Sequence, residues 1–272
     1  MRRLGPIVLL SILLLIPPAA QALETAWQGG AESRARLLAA REPGQPERWI
    51  LGIEIALAPG WKTYWRWPGE AGAPPRFDFS ASENLQTGTL AWPLPVAFET
   101  FGARSLGYGD TVLFTLPAGP SRPDKPARVR LQLDYMVCET ICIPERAGFD
   151  LPLAGAENPA LATRLAAARA AAPGTSDHDI ALEAAAVRGD SDRRILRITA
   201  RAGTGFHSPR LIAVAGEIVL FAPPALRSFD DSHGLHLDIP LSDGIRPRAG
   251  SPLHLLLIDG ERHVLRQVEW PQ

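Results

Sequence analysis

Residues 129–142 have the sequence VRLQLDYMVCETIC, in which apolar and polar side chains alternate as far as Val137. A period of two residues is typical of a strand with one buried face. The same alternation occurs at residues 49–57 and 112–116. The aromatic, proline-rich residues 61–79 instead predict a segment that covers a sheet edge rather than extending it. The first part of the chain is therefore predicted to be all-β.

A second group of apolar runs predicts another β domain. Seven short runs lie between residues 180 and 270, separated by turn residues, which is typical of a β-sandwich. Between the two groups, Asn158 can cap a helix, Pro159 suits its first turn, and Pro173-Gly174 ends it. We therefore predict two β-sandwiches joined by a short helical connector.

The first residues have the pattern of an export signal. Two arginines precede an apolar run at residues 7–16, and Ala20-Gln21-Ala22 has the small residues of a cleavage site. Pro17-Pro18 ends the run before it reaches the ~18 residues of a membrane span, which disfavours a retained anchor. We expect a mature periplasmic protein that starts at Leu23, in a Gram-negative source. The predicted organisation is a signal peptide at 1–22, a first domain at 23–155, a linker at 156–175 and a second domain at 176–272.

Composition excludes one class of partner. The chain has 28 basic and 29 acidic residues, so it has no excess positive charge with which to bind nucleic acid. Its 26 prolines and 24 glycines are scattered between short apolar runs, as in all-β domains. We expect no nucleic-acid partner.

Cys138 and Cys142 are the only cysteines of the chain. A close thiol pair in an oxidising compartment is a local structural disulfide, a metal site or a redox centre. Alternation places Cys138 on the face opposite Val137, so we expect it to leave the core. A straight strand would separate the two cysteines by about 13 Å, so residues 139–141 must bend if a disulfide forms.

The small loop favours a redox role. Closing so short a ring stabilises a fold by only about 2 kcal/mol in the chain-entropy model, and strain can cancel that gain. The second predicted domain has no cysteine and must fold without a disulfide. A structural disulfide and a metal site remain open at this point.

Two segments resemble a known family. Residues 137–145, VCETICIPE, resemble the cysteine segment of the periplasmic N-terminal domain of DsbD-type thiol:disulfide interchange proteins, especially the ScsB-like branch. Residues 57–72, LAPGWKTYWRWPGEAG, are similar to the strand-turn signature of that branch. The likeness is closest over residues 45–153 and continues more loosely through the second β domain.

The resemblance implies immunoglobulin-like sandwiches and a thiol-disulfide relay. Cys138 and Cys142 would accept electrons from a membrane-embedded thiol transporter and pass them to periplasmic thioredoxin-like or disulfide-bonded proteins. Residues 99–110 match a cap loop that shields the cysteines, with Phe101 as the shielding ring and Glu99 as a nearby acid. Tyr64 matches a tyrosine close to the thiols. The redox-active disulfide would be the sole cofactor, and the expected settings are cytochrome c biogenesis and copper tolerance.

Two departures from the family pattern affect these expectations. The relatives continue into a multi-span membrane segment and a thioredoxin-like domain, so we expect a separately encoded membrane partner here. Three residues separate the cysteines, compared with five in the best-known DsbD domains. By family position, Cys142 is the attacking sulfur and Cys138 resolves the mixed disulfide.

Two other functions compete with an oxidoreductase of the electron-relay type. Met136, Cys138 and Cys142 offer soft ligands for Cu(I), which would suit a copper-binding or copper-delivery protein. Alternatively, the chain is an interaction module in which the second domain holds a partner and the cysteines form an inert bridge.

Overall fold

The computed structural model describes residues 23–100, 102–155, 158–174, 179–189, 194–221, 227–229, 233–242 and 244–271. The expected signal peptide at residues 1–22 and the expected shielding ring Phe101 lie outside the described residues. Within the described ranges, no helix is both long enough and apolar enough to cross a lipid bilayer.

The first unit consists of strands. They are β1 (Gln28–Gly29), β2 (Ser33–Glu42), β3 (Gln45–Leu57), β4 (Thr63–Gly69), β5 (Arg76–Asp78), β6 (Leu85–Thr87), β7 (Val96–Thr100), β8 (Ala103–Tyr108), β9 (Thr111–Pro120), β10 (Arg128–Cys138) and β11 (Cys142–Pro152). They form a five-stranded sheet in the order β1-β2-β3-β9-β6 and two three-stranded sheets, β11-β10-β5 and β4-β8-β7. The three strands predicted from alternation are confirmed as parts of β3, β9 and β10.

The buried faces of these sheets meet in one core. Along β10, alternate residues from Val129 to Val137 are buried while the residues between them stay half-buried. Phe114 of β9 is fully buried and lies 5.2 Å from the ring of Phe77 on β5. The two-residue period of the sequence therefore corresponds to the two faces of the sheet.

The prediction for residues 61–79 is wrong, because both parts of this stretch extend a sheet. β4 pairs with β8, and β5 pairs with β10. Gly107 of β8 permits the first pairing, since a Cβ at that position would lie 2.0 Å from the carbonyl oxygen of Thr63. A residue without a side chain thus lets the aromatic strand approach its neighbour closely.

One helix follows the first unit, as predicted. α1 spans Pro159–Ala170, and the Asn158 side chain accepts a hydrogen bond from the Leu161 N–H at 3.1 Å. Leu165 is fully buried in a small cluster with Leu38, Ala40 and Ile50. The helix therefore packs on the outer face of the five-stranded sheet in addition to connecting two units.

A buried carboxylate also joins α1 to the sheet. Glu54 of β3 accepts hydrogen bonds from Arg164 of α1 and, at 2.7 Å, from Arg36 of β2, and its side chain is 5% exposed. Burial alone raises the pKa of Glu54, but the hydrogen bonds from the two arginines outweigh it and hold the pKa below its ordinary value. The ionised form of Glu54 therefore stabilises the fold.

The second unit is also all-β, as predicted. Its strands are β12 (Ile180–Arg188), β13 (Arg194–Ala202), β14 (Arg210–Ala215), β15 (Ile218–Phe221), β16 (Arg227–Phe229), β17 (Gly234–Leu241), β18 (Pro252–Asp259) and β19 (Arg262–Glu269). They form two four-stranded sheets in the orders β12-β13-β17-β16 and β15-β14-β18-β19. The seven predicted strands are present, and the short β16 was missed.

The two units share apolar contacts. Val214 and Leu256 of the second unit belong to the same buried cluster as the core of the first. The indole of Trp67 on β4 lies 4.4 Å from the imidazole of His254 on β18, between ring centroids. The guanidinium of Arg104 lies 4.8 Å from the ring of Phe221. β4 therefore takes part in both the first unit and the contact between units.

We expect the variant Glu54→Gln to lose about 1–3 kcal/mol of unfolding free energy at pH 7, because the arginines lose an ionised buried acceptor. The folded-state pKa of Glu54 is depressed, so its contribution is present above the unfolded-state pKa of about 4.3. That contribution is lost as pH falls through the folded-state pKa. Urea unfolding from pH 7 to pH 3 should show the difference from wild type shrinking.

The exposed Glu83, which pairs with Arg130 at 2.7 Å, provides a matched control. Glu83→Gln should change the unfolding free energy by no more than about 0.5 kcal/mol. A Glu54→Gln effect of constant size across this pH range would contradict a role for the ionised carboxylate.

Candidate functional site

The cysteines lie at the tip of a regular hairpin. β10 and β11 pair without a register shift from Arg128 opposite Pro152 to Cys138 opposite Cys142. Residues 139–141 turn the chain, and the Glu139 N–H donates to the carbonyl of Ile141 at 3.1 Å. The bend required by the sequence is confirmed.

Cys138 and Cys142 form a disulfide with an S–S distance of 2.03 Å and a Cα–Cα distance of 4.1 Å. The backbone of Cys138 bonds to Lys62 on its other side, with both N–H to carbonyl distances at 2.9 Å. Cys138 and Cys142 are therefore a non-hydrogen-bonded pair, the kind in which opposing Cα atoms come closest. The strand register itself brings the two sulfurs together.

The two cysteines differ sharply in exposure. Alternation along β10 places Cys138 on the face opposite Val137, and Cys138 is not part of the main core cluster. Nevertheless only 1% of it is exposed, which the sequence did not indicate. The segment that leads into β4 pairs with the backbone of Cys138 through Lys62. Cys142, the first residue of β11, is exposed. A protein that approaches this hairpin therefore meets Cys142 first.

Tyr64 of β4 lies beside the disulfide, as expected. Its hydroxyl is 3.9 Å from the Cys142 Sγ. A disulfide sulfur has no hydrogen, so the hydroxyl is the donor in this contact. The residue is fully buried, and burial raises the pKa of Tyr64, so the hydroxyl keeps its proton at neutral pH.

The position of the Tyr64 ring is fixed by its neighbours. Gly72 lies against the ring, and a Cβ at that position would lie 2.1 Å from two of its carbon atoms. Phe98 of β7 lies 5.9 Å away between ring centroids. On the backbone side, Thr63 donates through its hydroxyl to the carbonyl of Met136 at 2.9 Å, which ties β4 to β10. The ring of Tyr64 is thus held by Gly72 and Phe98, and the preceding residue, Thr63, anchors the backbone to β10.

The expected cap residues are only partly brought together. Glu99 is exposed on β7, and strand alternation places it on the face opposite Phe98. Phe98, which the sequence analysis did not single out, is the β7 ring that contacts Tyr64. The alternation of residues 96–100, VAFET, separates Phe98 from Glu99 and was the signal that could have identified it.

Two other carboxylates lie near the hairpin tip. The side chain of Glu139 lies over Gly60, where an added Cβ would be 2.5 Å from its Oε1. Glu145 follows Cys142 by three residues, so it lies on the opposite face of β11. Burial, and secondly the negative charge of Glu32, raises the pKa of Glu145. Of these acids, Glu139 belongs to the loop that the disulfide closes.

Apolar side chains are exposed on this end of the molecule. Ile141, directly before Cys142, is 60% exposed, and Val96 at the start of β7 is 56% exposed. Val96 lies on the same face of β7 as Phe98.

The copper alternative uses Met136 together with the same two cysteines. Within the described ranges, no group of three or more His, Cys, Asp or Glu residues comes close enough to hold a metal ion, and the set of Met136, Cys138 and Cys142 contains only two residues of those types. Met136 lies two residues before Cys138 and on the same face, but both thiols that would bind Cu(I) are joined in the disulfide.

Comparison with known proteins supports the site on the first unit. Residues 34–154 match the family model described as thiol:disulfide interchange protein DsbD, N-terminal. Residues 171–272 match a domain of unknown function, DUF8393. Comparison with curated protein sequences gives no match.

One solved structure shows the fold of both units together. The N-terminal periplasmic domain of ScsB from Proteus mirabilis aligns with 93% of this chain and 100% of its own, at 21% identity and a TM-score of 0.69. A tandem of titin immunoglobulin domains, A164-A165, covers 82% of this chain and 87% of its own, at 9% identity and a TM-score of 0.21, which supports no conclusion. The resemblance found in the sequence is confirmed. The match to DsbD N-terminal domains covers residues 34–154, which include the Cys138–Cys142 hairpin.

Proposed function

We propose that this chain is a periplasmic thiol-disulfide exchange protein that relays reducing equivalents through Cys138 and Cys142. The observation that carries the proposal is the asymmetry of the pair, with an exposed Cys142 and a buried Cys138 joined in one disulfide. Disulfide exchange needs a sulfur that a partner can reach and a second sulfur that stays close enough to resolve the mixed disulfide. The family of residues 34–154 supports the same chemistry.

Reduction of the protein proceeds in two exchange steps. A thiolate of the donor attacks the Cys142 Sγ, the Cys138–Cys142 bond breaks, and its electron pair goes to the Cys138 sulfur. The second thiolate of the donor then attacks the donor sulfur of the mixed disulfide and releases Cys142 as a thiolate. The donor leaves with a disulfide, and two electrons have moved to this protein.

Delivery is the reverse sequence with an oxidised acceptor. The Cys142 thiolate attacks the acceptor disulfide and forms a mixed disulfide, while one acceptor sulfur leaves with the electron pair. Cys138 then attacks the Cys142 sulfur, the intramolecular disulfide forms again, and the acceptor is released with both cysteines reduced.

Tyr64 assists the exposed sulfur in this scheme. Its hydroxyl is 3.9 Å from the Cys142 Sγ and remains protonated because burial raises its pKa. A hydrogen bond to the thiolate favours the charged form and lowers the pKa of the thiol. Tyr64 therefore increases the fraction of Cys142 that can attack.

The partners follow from the exchange chemistry and the family. We propose a membrane-embedded thiol transporter as the electron donor, and periplasmic thioredoxin-like or disulfide-bonded proteins as acceptors. The export-signal pattern at residues 1–22 supports a periplasmic location. The relative from Proteus mirabilis is likewise described as periplasmic.

Trapping in periplasmic extract tests the relay. The variant Cys138→Ala should accumulate mixed disulfides through Cys142, because no second thiol remains to resolve them. The measurement is non-reducing electrophoresis, in which the new bands should disappear after treatment with dithiothreitol. Cys142→Ala is the matched control and should trap far less, because Cys138 is only 1% exposed.

The absence of mixed disulfides with both variants would argue against the relay. An inert structural bridge makes a different prediction for equilibration with glutathione buffers. The relay requires interconversion of the oxidised and reduced forms, whereas a bridge has a potential below roughly −300 mV and stays oxidised.

The variant Tyr64→Phe tests the role of the hydroxyl. In the Cys138→Ala background, we expect the pKa of the Cys142 thiol to rise by about one unit, on the order of 1.4 kcal/mol of lost thiolate stabilisation. The pH dependence of the iodoacetamide alkylation rate measures this pKa. Tyr108→Phe is the control, because the Tyr108 hydroxyl donates to the Pro93 carbonyl at 2.9 Å instead. Equal pKa values in both variants would refute the assigned role.

A further inference from the structure

A groove of about 620 Å³ lies next to the disulfide on the β10–β11 hairpin. Met136 and Pro144 form one directly paired position in it, and Asp134 and Arg146 form the next. Ala73, Pro74 and Arg76 line its other side, where the chain enters β5. The groove thus follows the hairpin from the disulfide to β5.

The floor of the groove shares its face with the cysteines. Met136 is two residues from Cys138, and Pro144 is two residues from Cys142, so alternation places all four on the same side of the hairpin. Met136 with Pro144 lies about 7 Å from the disulfide along the strands, and Asp134 with Arg146 about 13 Å. A polypeptide joined to Cys142 has this groove directly beside it.

The far end of the groove carries excess positive charge. Arg146 donates to Asp134 at 2.6 Å, which leaves that pair neutral. Arg76 is the β5 residue directly opposite Asp134, it is exposed, and it makes no ion pair within the described part of the chain. Glu145 also lines the groove, between these two ends, so the groove as a whole has as many acidic as basic side chains. The excess positive charge is confined to the end at Arg76, Asp134 and Arg146, and the end beside the disulfide is apolar.

We propose that this groove binds the extended segment that flanks the reactive cysteine of the partner protein, an inference that rests on the proposed exchange function. An extended chain advances about 3.3 Å per residue. The second residue from the partner cysteine then lies over Met136 and Pro144 and is apolar. The fourth lies beside Arg76 and is acidic. The groove selects among thiol partners by these two side chains.

The test uses short extended peptides with the protein lacking its N-terminal signal. Each peptide has a leucine two positions and an aspartate four positions from a cysteine activated with thionitrobenzoate. In one chain direction both residues precede the cysteine, and in the other both follow it. A second set replaces the aspartate with lysine. In the Cys138→Ala protein, the Cys142 thiolate attacks the peptide sulfur, a new disulfide forms, and coloured thionitrobenzoate leaves with the electron pair. Its release gives the rate.

We expect the aspartate peptide of one chain direction to react about two- to five-fold faster than its lysine counterpart at low salt, as for one exposed ion pair. Arg76→Glu should reverse the preference, and added salt should reduce it. Met136→Ala should reduce the advantage of leucine over glycine at the second position. Arg122→Glu makes the same charge change on the exposed loop between β9 and β10 and should leave the preference unchanged.

Three outcomes overturn the proposal. The first is an equal rate for all peptides with wild-type Arg76, in a protein that still exchanges with glutathione. This result would refute peptide selection by the groove and leave the exchange function standing. Another is an Arg76→Glu protein that keeps the original preference. The third is a change in sedimentation coefficient with Arg76→Glu at unchanged peptide preference, which would assign the groove to a second copy of this chain. If the wild type does not exchange with glutathione either, the exchange function itself fails.

Discussion

Two backbone hydrogen bonds of 2.9 Å join Lys62 to Cys138, and they fix the start of β4 against the end of β10. Because the N–H and C=O groups of Cys138 both point towards Lys62, Cys138 and Cys142 form a non-hydrogen-bonded pair, in which the opposing Cα atoms lie close together. The same pairing brings β4, and with it the Tyr64 hydroxyl, to the disulfide in which Cys138 is buried. The disulfide, its unequal exposure and its hydrogen-bond donor thus depend on one strand contact between residues far apart in sequence.

Unequal exposure gives the site a direction. In the proposed exchange, an incoming thiolate would reach Cys142, and the electron pair would be left on Cys138, which is only 1% exposed. A buried resolving thiol is protected from oxidants and from unrelated disulfides, while it stays within bonding distance of its partner. A disulfide that only held the hairpin together would gain nothing from this arrangement, because the hairpin is already paired along its whole length.

Local sequence patterns predicted a large part of the fold. Alternation identified β3, β9, β10 and seven strands of the second unit, and the Asn158-Pro159 pair identified the start of α1, because each signal depends on neighbours in the chain. The pairing of β4 with β8 was not predictable in this way, since it depends on the missing side chain of Gly107. Parity placed Cys138 on the face opposite Val137, but it could not indicate that Cys138 is buried there, because burial depends on segments distant in sequence. The cysteine pair came from its spacing in the sequence, and Tyr64 came from the family resemblance. The contact of Phe98 with Tyr64 is formed across β8, which lies between β7 and β4, and no local pattern gives that arrangement.

β4 also links the surroundings of the disulfide to the second β unit. Tyr64 at the disulfide and Trp67 at the contact with His254 are three residues apart, or about 10 Å along the strand. A displacement of β4 therefore alters the environment of Cys142 and the packing between the two units together.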